Sequence, residues 1–113
     1  MSVAEGTDTK IKTTMYIYSV TVSIDKDVAK EWHGWMKNKH IPEVMETGYF
    51  TEYKMCRVLN VEDEGETYST QYTFKEMKDI ENYQKHEAPR LQADMKSLYE
   101  GKYVAFRTLL EIV

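Results

Sequence analysis

Residues 32–50 read WHGWMKNKHIPEVMETGYF and hold both tryptophans, two of the three histidines and the first of two prolines. With Trp32 at the centre of a helix turning about 100° per residue, Val28, Trp35, Met36 and Lys39 fall within about 60° of it. The two indoles make this stripe a large surface for burial. Asp25 or Asp27 caps its start. Pro42 is expected to end the helix, because Ile41 ahead of a proline is pushed out of the helical region. A short second turn, Pro42 to Thr47, follows with proline at its favoured first position. Gly48, free to take positive φ, closes it before the next strand.

His33 and His40 stand on one flank of this stripe, roughly 10 Å apart along the axis at about 1.5 Å per residue. They cannot share one metal ion. His33 reads as a surface residue. Two readings stand for His40: a cation near a helix C-terminus, or a polar group aimed into a pocket.

Working outward, Thr14 to Ile24 alternates as a strand does. Tyr16, Tyr18, Val20, Val22 and Ile24 form one strongly apolar face; Met15, Ile17, Ser19, Thr21 and Ser23 form the other. Tyr49 to Asn60 reads as a second strand with mixed faces, as on a sheet edge. The run from Val61 to Glu66 is a solvated turn, and its carboxylate spacing does not match a calcium loop. Thr67 to Phe74 alternates again, with Tyr68, Thr70, Tyr72 and Phe74 on one face and Ser69, Gln71 and Thr73 on the other. A second long helix spans about Glu76 to Tyr99, broken or kinked near Glu87 by Pro89. Gly101 ends it. Lys102 to Val113 is the last strand. Val104, Phe106, Thr108, Leu110 and Ile112 are expected to face the helices, and Tyr103, Ala105, Arg107, Leu109 and Glu111 the opposite side. Residues 1–13 are small, polar and unpatterned, and read as a disordered tail before a single domain over residues 14–113.

The order is strand, helix, strand, strand, helix, strand. Two helical crossovers predict an α+β, ferredoxin-like fold: a four-stranded antiparallel sheet in the order 4-1-3-2, with both helices on one face. The open face then presents Ser19, Thr21, Ser23, Ser69, Gln71, Thr73 and Arg107. The facing of the second strand stays open, so Tyr53, Met55 and Arg57 are candidate additions. A polar middle with apolar rims suits a covered surface, and a homodimer packed sheet to sheet is the expected assembly.

The 113 residues allow one modest core. A formal net charge of −4 argues against nucleic acid and against anionic membrane surfaces. No stretch is apolar enough to span a bilayer. The first 13 residues lack an apolar signal core, so a cytoplasmic protein is expected. The single cysteine, Cys56, fits a reducing compartment and reads as a small half-buried strand residue rather than a nucleophile. No histidine pair has metal-ligand spacing, so neither a metal nor a cofactor is expected.

The run Trp32-x-x-Trp35-Met36-x-x-x-His40-Ile41-Pro42, then Thr47-Gly48-x-Phe50, resembles a family of small bacterial proteins of unknown function. Gln71-Tyr72 and Ala105-Phe106-Arg107-Thr108-Leu109-Leu110 resemble it too. The likeness covers about residues 16 to 113. It differs at Ser19, where that family often carries an amide. More distantly, the helix-His-x-Pro-to-strand layout is similar to the dimeric α/β-barrel superfamily. That resemblance implies a dimeric barrel and a range that runs from cofactor-free monooxygenases and muconolactone isomerase-like enzymes to heme-degrading and stress-response proteins. Fold likeness cannot choose among them.

Two functions compete. In the first, preferred on the sequence, the open face serves assembly alone and the protein has no chemistry of its own. In the alternative, a pocket on the open face takes a small molecule, either for binding or for cofactor-independent catalysis. Arg107 then holds an anionic group, Gln71 and Thr21 orient it, and His40 is the candidate acid or base.

Overall fold

The computed structural model describes residues 14–62 and 64–113; the expected N-terminal tail lies outside them. Strand β1 (Met15–Ile24) leads into helix α1 (Lys26–Trp35), a π-helical turn (Met36–His40) and helix α2 (Ile41–Glu46). Strands β2 (Glu52–Arg57) and β3 (Glu66–Phe74) follow. Helices α3 (Met77–His86) and α4 (Ala88–Tyr99) then lead to β4 (Tyr103–Ile112). The sheet is antiparallel throughout, in the order β2-β3-β1-β4, which is 4-1-3-2 counted from the other edge.

Alternation positions the core. Tyr18, Val22 and Ile24 of β1 and Tyr72 and Phe74 of β3 turn toward the helices and are buried. Ala29, Trp32, Met36, Ile41 and Val44 come down on them from the first helical arm. Ile80, Tyr83, Leu91, Met95 and Tyr99 come from the second. Aromatic rings fill the centre: the Phe50 ring stands 4.9 Å from that of Tyr83 and 5.2 Å from that of Tyr72.

Pro42 does not stop the first helix. Ile41 keeps helical angles, φ −61° and ψ −44°, and its N–H donates to the Met36 carbonyl five residues back. Proline crowds the carbonyl four residues before it. The wider π turn relieves that crowding, so the chain stays helical through Glu46. Gly48, at φ +85°, then turns it toward β2. Pro89 acts as expected: Glu87 departs to φ −120°, where α3 ends and α4 begins.

The facing of β4 and the burial of Cys56 differ from expectation, and the facing of β2 was left open by the sequence. In β4, Val20 lies opposite Arg107, Val22 opposite Ala105 and Tyr18 opposite Leu109. Tyr103, Ala105, Arg107, Leu109 and Glu111 therefore share the helix side, and Val104, Phe106, Thr108, Leu110 and Ile112 lie on the open side. In β2, Tyr53, Met55 and Arg57 pair across from Tyr72, Thr70 and Tyr68, which also sets them on the helix side. Cys56 stands exposed on the open side rather than half-buried. Among the described residues, no helix is long and apolar enough to cross a membrane.

Candidate functional site

A cavity of about 40 Å³ lies between the sheet and the helices. Its floor is Tyr18, Val20 and Val22 of β1 with Thr70 and Tyr72 of β3. Met36 and His40 of the π turn, Val44 of α2, Tyr83 of α3 and Gln92 and Met95 of α4 close it from above. Tyr103, Ala105 and Arg107 of β4 form its remaining wall. The reversed facing of β4 is what brings Arg107 here.

His40 reaches the cavity because the chain widens just before it. Trp35 and His40, five residues apart, stack with ring centroids 4.8 Å apart and planes 26° from parallel. A regular α-helix would hold such a pair about 140° apart around its axis. Tyr99 packs against Trp35 in an edge contact at 5.7 Å, and its hydroxyl donates to Glu31 Oε2 at 3.2 Å. Burial holds the His40 imidazole neutral, with its pKa lowered to about 4. The Glu43 and Asp94 carboxylates pull the other way, and Arg107 and Lys39 add to the depression. His40 Nδ1 is buried and has no hydrogen-bond partner. Of the two sequence readings of His40, the helix-terminal cation does not apply, since the helical path continues six residues beyond it.

Arg107 is exposed at the rim, and its guanidinium and the Gln92 amide both reach the buried Tyr18 hydroxyl. Burial pushes the Tyr18 phenol up, partly offset by Arg107 and Gln92. Tyr72 and Tyr83 are likewise pushed up, chiefly by burial. All three therefore carry their protons at neutral pH. The result is an apolar recess with neutral hydroxyls, a neutral imidazole and one fixed positive charge. Ligand sites commonly have this make-up, mostly apolar walls with a few convergent polar groups.

The expected site residues do not all meet. His40 and Arg107 share the cavity. Thr21 and Gln71 lie on the open face, opposite Ser69 and Ser19 respectively, where Ser19 Oγ and Ser69 Oγ are 3.2 Å apart. They cannot reach a ligand held by His40. Tyr18, Tyr83 and Gln92 were not anticipated. The one sequence signal for Tyr18 was a phenol near the middle of the apolar face, since a buried hydroxyl needs a partner. Gln92, one step past the buried Leu91, gave no signal. Among the described residues, no group of three or more His, Cys, Asp or Glu side chains is placed to hold a metal ion.

A four-stranded antiparallel sheet with its helices on one face, and a cavity between the layers, defines a ferredoxin-like α+β protein. Residues 15–113 match the model of the domain of unknown function DUF4286, and the chain belongs to that family. No curated protein matches it. Solved structures share the fold at low identity. A dimeric ferredoxin-like protein from an uncultured marine organism is 12% identical with a TM-score of 0.60, covering 90% of this chain and 97% of its own. An ethyl tert-butyl ether D (EthD) family protein from Bacillus halodurans is 7% identical with a TM-score of 0.62, covering 82% and 96%. A variant of SnoaB, a cofactor-independent oxygenase from Streptomyces nogalater, is 6% identical with a TM-score of 0.59, covering 85% and 90%. At such identities the likeness concerns the fold alone.

Proposed function

We propose that this chain works as a homodimer, a dimeric α/β barrel, in which each protomer binds a small molecule between its helices and its sheet. One observation carries the binding half: a single cavity meets both the imidazole of His40, whose buried Nδ1 has no partner, and the guanidinium of Arg107. On the sequence alone, assembly and ligand binding compete because both use the open face. With Arg107 on the helix side, each function has its own surface. A panel of small organic acids at millimolar concentration is expected to raise the melting temperature. Arg107→Gln should remove that response and leave the circular dichroism spectrum unchanged. A panel that never shifts the melting temperature would rule out the binding half.

The assembly half rests on the open face. Val104 and Phe106 are 71% and 63% exposed, and Ile112 and Leu110 continue the apolar row along β4. Ile17 of β1 extends it, opposite Leu110. An apolar row of this length on an outer sheet face marks a contact surface. A second copy fits it, since two such faces are self-complementary about a two-fold axis. The structural similarity to a protein described as dimeric supports the same reading. Light scattering is expected to give twice the chain mass at micromolar concentration. Phe106→Asp should weaken the dimer by about a hundredfold or more, as burying an unpaired carboxylate at an interface core costs several kcal/mol. A wild-type monomer under these conditions would exclude the dimer.

A further inference from the structure

We propose that the occupant of this cavity is a small organic monoanion that enters together with one proton, which His40 accepts. This rests on the binding reading above and adds the ligand class and its proton linkage.

The cavity selects the sign of the charge. No aspartate or glutamate lines it, whereas Arg107 does, and neutral hydroxyls of Tyr18 and Tyr83 supply donors. An anion there meets a fixed cation and no contacting carboxylate. The volume of about 40 Å³ suits a compact acid of a few heavy atoms.

The proton follows from what surrounds His40. Glu43 faces it from α2 and Asp94 from α4, Lys39 stands on its own turn and Arg107 on β4. These charges oppose one another, so burial decides, and the imidazole is held neutral. An anion seated inside changes that balance. It brings a negative charge into the low-dielectric space where the imidazole stands, and an opposite charge within a few ångströms favours the protonated form. A proton from solvent then adds to an imidazole nitrogen, and no bond of the ligand breaks. The bound anion also offers an oxygen to the imidazole, whose Nδ1 has no partner within the protein. Once filled, the site holds one anion against two cations, with the second formed only on binding.

The test uses the full chain with formate and acetate as probes. Isothermal titration at pH 6 in MES and in Bis-Tris, whose ionisation heats differ, is expected to show uptake of close to one proton. Affinity should weaken by about tenfold for each pH unit from 5 to 7, the slope that one linked proton imposes. The ring protons of His40 should move to the imidazolium position on adding formate, while those of His33 and His86 stay. His40→Gln should bind formate more weakly and with a flat pH dependence. Binding with equal heats in both buffers and no pH slope would overturn the proton linkage and leave the binding site standing. Acetamide binding as tightly as acetate would overturn the anion class. Failure of both formate and acetate to bind would overturn this inference, and if the wider organic-acid panel also failed, the binding reading would fall with it.

Discussion

Trp32→Ala is expected to lower the unfolding free energy by roughly 3–5 kcal/mol, the range for emptying a large aromatic from a core. Trp32 is fully buried, and its ring lies 5.4 Å from that of Tyr68 on β3, so it joins the first helical arm to the sheet. Its indole Nε1 is buried without a partner. Removing it relieves one unpaired donor, which places the cost toward the lower end. Trp35, ranked beside it from the stripe alone, is only partly buried. Trp35→Ala should cost less, about 1–3 kcal/mol, because part of its surface already meets solvent. A urea titration of both variants checks the ranking. A loss below about 1 kcal/mol for Trp32→Ala would place that indole outside the core.

The second large effect is on pH dependence. His40 has a pKa of about 4 in the folded chain and ordinarily about 6.5. The unfolded chain therefore binds a proton that the folded chain refuses. Its contribution is present in full above pH 6.5 and is lost progressively as the pH falls toward 4, about 3 kcal/mol in all. Below that, both states are protonated and the loss stops growing. His40→Gln removes the titration, so the difference between wild-type and variant stability should change by that amount between pH 7 and 4. Carboxylates remote from His40 that titrate at the lower end affect both chains alike and cancel in the difference. A difference that stays constant over this window would mean that His40 is protonated as easily in the folded chain as in the unfolded one.

Element order and strand pairing were legible because β1 and β3 each have one face much more apolar than the other. The facing of β4 was not, since both of its faces are apolar. Val104, Phe106, Leu110 and Ile112 outweigh Tyr103, Ala105 and Leu109, so a reading that assigns the most apolar face to the core turns the strand over. The helices lie mainly over β1 and β3, and the heavier face of β4 is left outside the protomer. That single reversal decided the site. His40 and Arg107 were recognisable as chemistry, but whether they meet depends on which way β4 faces. Thr21 and Gln71 were correctly set on the open face, and lost their connection to Arg107 when it moved to the other side.

The π turn has a consequence for lineage. Buried positions along the first helical arm fall at Ala29, Trp32, Met36, Ile41 and Val44. Their spacing is three, four, five and three, and the step of five spans the turn. Lys37, Asn38 and Lys39 are all exposed there, so the surplus residue bulges outward and does not disturb the buried row. A relative shorter by one residue between Met36 and His40 would carry an ordinary α-helix. Its histidine would then stand four residues after its tryptophan, neighbours on an α-helix. A one-residue gap at this point is therefore a change in helix winding that preserves the aromatic-imidazole pair, not the loss of a site.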